Sequence, residues 1–272
     1  MQPTVCLSDG WNAMTWVHAL SGFGVGFIVG LTGVGGGSLM TPLLVLLMGI
    51  HPAVAVGTDL LYAAFTKAVG AAVHAQRNAV NWRIVGLLGL GSIPATLITV
   101  RTLHALALDT ARLERVITTT LGVALILTAI SLLFIDRLRS RARTVHSMPD
   151  SWRVRWNAPV TVATGAVLGV LVTVSSVGAG ALGVAALLFL YPRLSAVQIV
   201  GTDIAHAVPL TLVAGLGHAA IGTVDWTLLG SLLIGSIPGI WIGSHLASRA
   251  PERVLRSLLA TILIIVGGKF AL

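Results

Sequence analysis

Residues 56–97 read VGTDLLYAAFTKAVGAAVHAQRNAVNWRIVGLLGLGSIPATL, and residues 200–241 read VGTDIAHAVPLTLVAGLGHAAIGTVDWTLLGSLLIGSIPGIW. The two stretches align without a gap at an offset of 144, with sixteen identities in forty-two positions, where ordinary residue frequencies would give about four. Each lies in a half of the chain made almost wholly of apolar segments. The sequence therefore specifies one polytopic membrane protein built by duplication. Halves duplicated in this way usually enclose a transport path.

Composition leads to the same class. With 56% hydrophobic and 10% charged residues, a polar surface all round is out of reach, and most of the surface must face lipid. Apolar runs such as 84–100, 117–135 and 160–177 approach the roughly 20 residues a helix needs to cross about 30 Å of hydrocarbon. They are too long and too uniformly apolar for the alternating strands of a barrel. The expected fold is all-α, with two homologous five-segment halves and eight to ten membrane segments, some short or broken. The single cysteine, Cys6, excludes an internal disulfide and a cysteine metal cluster. No Lys or Arg precedes the first apolar stretch, so a cleavable signal peptide is not expected there.

The net charge of +8 would suggest nucleic acid in a soluble protein, but the placement of the arginines argues otherwise. Arg137, Arg139, Arg141, Arg143, Arg153 and Arg155 crowd the connection between the halves. The positive-inside rule makes that connection cytoplasmic, a solvated linker beside anionic headgroups. The chain divides into a non-cytoplasmic amino terminus (1–15), a first transmembrane repeat (16–136), the Arg-rich linker (137–157) and a second repeat (158–272).

Loop charges test how the halves insert. The first 66 residues lack Lys and Arg, which places the amino terminus outside. Five apolar segments follow in the first half, near 16–33, 38–49, 53–75, 83–101 and 113–135. Their counterparts lie near 158–176, 180–191, 196–220, 226–247 and 253–271. The second of each set is too short to span alone and reads as a half-helix. Five steps per half would invert one copy relative to the other. Arg77 and Arg83 flank the loop after the third segment, whereas its counterpart carries only Asp225, as inversion requires. Arg193 and Arg249 also fall on predicted cytoplasmic loops. Arg101, Arg112 and Arg115 fall on the predicted outer side, against the rule. Inverted repeats are the expectation, with a parallel arrangement of four plus four spans as its alternative.

The run Gly33-Val34-Gly35-Gly36-Gly37-Ser38, followed by Thr41-Pro42, should break the helix within the membrane. Such a break survives only where it lines a protein-enclosed or watered cavity. The N–H groups opening the next helix then offer an anion site at the positive end of its dipole. Close packing through glycines is the other reading, and it suits Gly22, Gly26 and Gly30. The second copy supplies Ser175, Ser176, Gly178 and Gly180 at the corresponding place. Its hydroxyls could replace some backbone donors, and two breaks meeting from opposite sides would form one enclosed site.

Gly57-Thr58-Asp59 and Gly201-Thr202-Asp203 recur near the start of the third segments. An N-cap role, with Thr or Asp accepting orphan N–H groups, competes there with substrate binding. Asp59, Ala63, Lys67, Gly70 and His74 share one helical face, and Asp203, Ala207, Thr211, Ala214 and His218 repeat it. Lys67 sits about 13 residues into an apolar segment, roughly 20 Å from its start. An intramembrane ammonium usually faces an interior path, so Lys67 is a candidate counter-charge for an anion, with snorkelling as the competing reading. His74, His206 and His218 are candidates for proton coupling or for plain hydrogen bonding. Pro209 should kink its helix. Trp82 and Trp226 read as interface anchors.

The stretch GLTGVGGGSLMTPLL, the repeated GTD and the repeated GSIP of Gly91–Pro94 and Gly235–Pro238 identify a resemblance. The chain resembles the TauE/SafE family of sulfite and organosulfonate permeases over nearly its whole length. That resemblance implies a multi-pass bacterial inner-membrane transporter, not an enzyme, carrying small sulfur-containing anions such as sulfite without a cofactor or metal. The candidate substrate-binding residues are Gly35, Gly36, Gly37, Ser38, Thr58, Asp59, Lys67, Ser175, Ser176, Gly178, Gly180, Thr202 and Asp203. Partners are the anionic solute and the bilayer, not nucleic acid, and a homo-oligomer is compatible with all of this. Cation or metal transport through the aspartates and histidines is the alternative. An intramembrane hydrolase using Ser38 or Ser176 with His74 or His218 is a remote one, because neither serine has a GxSxG setting.

Overall fold

The computed structural model describes residues 18–28, 37–46, 48–106, 109–144, 150–246 and 252–271. Within them the chain is helical throughout: α1 His18–Ile28, α2 Gly37–Leu46, α3 Pro52–Gln76, α4 Trp82–Leu106, α5 Thr110–Thr144, α6 Asp150–Ser175, α7 Ala181–Leu190, α8 Ala196–Ile221, α9 Trp226–Leu246 and α10 Glu252–Ala271. Segments in α4, α5, α6, α8 and α9 are each long and apolar enough to cross a bilayer. Large apolar side chains such as Val69, Leu90, Ile98, Ile234 and Ile265 remain exposed, which in water would be untenable and in lipid is ordinary. The protein is a polytopic α-helical membrane protein.

The duplication is visible in the helix boundaries. α2 and α7, α3 and α8, and α4 and α9 begin at Gly37 and Ala181, Pro52 and Ala196, and Trp82 and Trp226, each pair 144 residues apart. At ten residues, α2 and α7 are about 15 Å long and cannot span alone. The linker differs from a plain solvated loop, because α5 runs on to Thr144 and α6 already begins at Asp150. Arginine is a good helix former, so its abundance there extends the helices.

The two halves exchange parts. α1 of the first half packs on α9 of the second, since a Cβ added to Gly22, Gly235 or Gly239 would overlap the carbonyl of Leu232, Ala19 or Phe23. α6 of the second half packs in the same way on α4 of the first, through Gly91 against the Val162 carbonyl and Gly165 against that of Leu88. At the centre, Thr58 Oγ1 accepts the Asp225 N–H at 3.1 Å and Thr202 Oγ1 accepts the Asn81 N–H at 3.0 Å. Reciprocal contacts of this kind are the signature of a two-fold relation. They also fix direction. The start of α3 meets the loop after α8, and the start of α8 meets the loop after α3, so these homologous helices run antiparallel. Val56, Leu60, Ala207, Leu210 and Ala214 are buried along their contact.

Two expectations are corrected here. Asp59 and Asp203 are each the eighth residue of their helix and lie deep in it, so neither is an N-cap. The cap positions are His51 and Ser195, and Ser195 forms a capping box with Gln198. Thr58 and Thr202 are likewise helix-interior residues, and their hydroxyls latch the facing loops. Pro209 lies inside α8.

Because Gly91 and Gly235 let backbones touch, any side chain at either forces two helices apart. Gly91→Val and Gly235→Val should each destabilise by about 1–3 kcal/mol or more, whereas Gly89→Ala, with open space around it, should not. Thermal unfolding of the detergent-solubilised variants checks this.

Candidate functional site

The chain leaves helical geometry between Ser175 and Ala181. Ser176, Gly178 and Gly180 take positive φ of 59°, 123° and 141°, values that suit glycine and that serine adopts only under constraint. Ser175 makes the end of α6 self-sufficient: its hydroxyl donates to the Leu171 carbonyl at 2.6 Å and accepts the Val177 N–H at 3.2 Å. The expected interruption is therefore present in the second copy. In the first, Gly35 and Gly36 lie outside the described residues, as does the Ser38 side chain, and Gly37 opens α2.

The carbonyl of Ala179, freed by the break, accepts a hydrogen bond from Lys67 Nζ of α3 at 2.6 Å. Lys67 is 7% exposed and does not snorkel to the surface. Both Asp59 and Asp203 act on it electrostatically, although among the described residues neither forms a direct ion pair with it. One ammonium thus lies within the influence of two carboxylates, all three buried.

Each acid is set against the half-helix of its own repeat. Asp59 Oδ2 accepts the Thr41 hydroxyl of α2 at 2.6 Å. Ser176 of the break faces the same carboxylate, while Asp59 Oδ1 and Ser176 Oγ have no hydrogen-bond partner of good geometry. Asp203 abuts the first turn of α7, where a Cβ on Gly183 would overlap its carboxylate. Its Oδ1 has no hydrogen-bond partner.

The histidines separate by position. His206 Nε2 pairs with Ser92 Oγ of α4 at 2.9 Å, and its Nδ1 is unpartnered. The homologous pair in the other half is Tyr62 and Ser236, again facing one another. His218 is held at both nitrogens, Nδ1 with Thr223 Oγ1 and Nε2 with the Thr173 carbonyl, each at 2.9 Å. It joins α8 to α6. His74 packs beside Gly201 near the end of α3.

The structure thus brings Asp59, Lys67, Ser176, Gly178, Gly180 and Asp203 together with His206 at their edge. It does not bring Thr58, Thr202, His74 or His218 to them. Thr41, Gly183 and Ser92 complete the group and were missed as site residues. Thr41 was visible only as part of the helix-breaking TP pair. Ser92 belongs to the repeated GSIP, whose polar residue inside an apolar helix was the available signal.

A family profile described as "Sulfite exporter TauE/SafE" matches residues 18–270. The chain belongs to the TauE/SafE family. Over 257 residues it is 42% identical to the "Probable membrane transporter protein YjnA" of Bacillus subtilis (strain 168), covering 92% of this chain and 97% of that one. It is 31% identical over 260 residues to a "Probable membrane transporter protein" of Xylella fastidiosa (strain 9a5c), with 90% of each chain covered. With "Probable membrane transporter protein YdhB" of Bacillus subtilis it shares 26% over 243 residues. No solved structure matches the chain. This TauE/SafE protein is a membrane transporter, not an enzyme.

The contact between Gly183 and Asp203 is the tightest constraint on the site. Gly183→Ala should leave the fold intact, because a carboxylate can rotate away, but should displace Asp203 and lower transport by about tenfold, the scale of a 1.4 kcal/mol effect. Comparing flux with detergent melting temperature separates the two effects.

Proposed function

We propose that the protein is a secondary transporter of small sulfur-containing anions, of the sulfite or organosulfonate class, in a bacterial inner membrane. The observation that carries this reading is Lys67, a buried ammonium donating to the backbone of a broken helix whose next segment, α7, directs its amino-terminal dipole toward the same place. Fixed donors and one fixed cation suit an oxyanion, which needs charge compensation and several hydrogen bonds at once. The family description supports the choice of sulfur oxyanions.

The antiparallel packing of α3 and α8 supports opposite insertion of the two repeats, since homologous helices that cross one bilayer in opposite directions belong to inverted halves. The contact of His51 with Glu114 at 3.4 Å sets the loop before α3 and the start of α5 on one side, as it must be when both α3 and α4 span. The Arg-rich connection is then cytoplasmic.

Cation transport stays as a second reading because the buried cluster holds two acids and one base. The two readings differ in what competes. Reconstituted protein should take up labelled sulfite or a short sulfonate, with inhibition by other sulfonates and none by divalent cations. Lys67→Ala should reduce uptake by tenfold or more, in keeping with the about 2–5 kcal/mol lost when one partner of a buried charged contact is removed. Uptake unaffected by Lys67→Ala would remove Lys67 from the mechanism, and inhibition by divalent cations alone would favour the cation reading.

Opposite insertion has its own check. On a Cys6→Ser background, Val80→Cys and Val224→Cys occupy equivalent positions in the loops after α3 and α8. An impermeant thiol reagent added to intact cells should label Val224→Cys and not Val80→Cys; equal labelling would refute inversion.

A further inference from the structure

The two buried acids are equivalent by duplication and unequal in their surroundings. Asp59 has the Thr41 hydroxyl on one oxygen and Ser176 beside it. The residue homologous to Thr41 is Ala185, 144 positions on, so α7 offers no hydroxyl to Asp203. Asp203 is 1% exposed, its Oδ1 is unpartnered, and no other residue donates a hydrogen bond to its carboxylate among the described contacts.

A buried carboxylate oxygen that lacks a donor is costly to ionise. The other ionisable groups facing it are few. Lys67 of α3 acts on it, Asp59 of α3 acts on the same lysine, His206 of α8 is turned toward Ser92, and His74 of α3 packs beside Gly201, two residues before Asp203. α7 presents no ionisable side chain, nor does the described part of α6, Asn157–Ser175. On α4, Arg83, Arg101 and His104 are exposed near the helix ends. Lys67 alone cannot balance two ionised acids, and Asp59 is the one that accepts a hydroxyl hydrogen bond from its half-helix.

We infer that Asp203 carries a proton that is transported together with the anion. This deepens the function proposed above and rests on it. The coupling follows from position. Asp203 lies against the first turn of α7, the end of that half-helix whose N–H groups and dipole favour negative charge. Ionised, Asp203 itself occupies that end and repels an arriving oxyanion. Protonated, it becomes neutral, Lys67 is left to balance Asp59 alone, and the end of α7 is free for the substrate's charge. Binding the anion and binding the proton therefore favour one another, which is a linkage between two sites with a shared electrostatic cause. The proton comes from the aqueous side open at the time and returns to water on the other side with the anion, so one charge of each sign crosses. Of the histidines proposed from sequence, His218 has both nitrogens engaged and His206 has its Nε2 held by Ser92.

Two measurements test it. In the first, infrared difference spectra of the detergent-solubilised protein between alkaline and acidic pH should show the C=O stretch of a protonated carboxyl that is lost in Asp203→Asn and kept in Asp59→Asn. A band unaffected by Asp203→Asn overturns the inference whatever the protein transports. In the second, proteoliposomes loaded with sulfite exchange it for labelled sulfite without a gradient, or accumulate it under an imposed pH gradient. Asp203→Asn, which cannot ionise, should lose gradient-driven accumulation to the level of empty liposomes, and Asp203→Glu, which can, should recover it in part. Accumulation retained in Asp203→Asn, or loss of accumulation with retained exchange in Asp59→Asn instead, overturns the assignment. A wild-type protein that shows the band yet neither exchanges nor accumulates any sulfur oxyanion would sink the substrate reading and leave the proton site standing.

Discussion

The hydrogen bond from Lys67 to the Ala179 carbonyl joins two features that neither half of the protein could tolerate alone. A helix interrupted at membrane depth frees carbonyl groups, each costing several kcal/mol when unpaired in hydrocarbon. A lysine in mid-helix brings an ammonium whose burial is costlier still. Each supplies what the other lacks. The bond also crosses between repeats, from α3 of the first to the α6–α7 break of the second, so the position of the break depends on a helix from the opposite half. The ordering of Ser176, Gly178 and Gly180 in positive-φ conformations is reasonable only with such a fixed point beside it.

The exchange of α1 and α6 between halves explains why the scaffold has kept its glycines. In α4 and α9 the glycines at 91 and 235 each touch a backbone carbonyl of the helix borrowed from the other repeat, and Gly57 and Gly201 do the same with the loops containing Thr223 and Ala79. These positions have no room for a Cβ in either copy. Polar positions carry no such shared restriction. Lys67 stands opposite Thr211, Tyr62 opposite His206, Thr41 opposite Ala185 and Thr32 opposite Ser176. Packing and the paired Thr58/Thr202 and Asp59/Asp203 hold the two halves alike, while several of the polar groups around the acids differ.

That distinction also governs what was legible in the sequence. The helices fell where the apolar segments were expected, within a few residues at most ends, because long hydrophobic runs bounded by Asn, Asp, Gly and Pro leave few alternatives. The second break was equally readable, from its glycines, and the 144-residue offset recurs in the starts of α2 and α7, α3 and α8, and α4 and α9. The surroundings of side chains were not. An aspartate near the predicted start of a helix suggested an N-cap, but α3 and α8 begin at Pro52 and Ala196 and carry Asp59 and Asp203 into the interior, where tertiary contacts with α2 and α7 decide their role. Thr58 and Thr202 looked like site residues because they flank the acids; the helical turn of about 100° per residue points them instead at the opposite loop. Which helix of one half lies beside which of the other is a property of the exchanged fold and leaves no local trace.

The asymmetry between Asp59 and Asp203 has a structural origin that a single half could not provide. Both occupy the same place relative to a half-helix, so the duplication by itself would give them the same chemistry. The α2 hydroxyl at Thr41 donates to one acid, and alanine at the equivalent place in α7 leaves the other without that donor. Placing a single lysine in α3, with threonine at the equivalent point of α8, then fixes one positive charge between them. Two acids sharing one base cannot both be balanced by it when ionised, whereas a lysine in each half would give each acid its own counter-charge. Loss of symmetry in three side chains is enough to turn a packed two-fold interface into a group that can gain and release charge without moving its backbone.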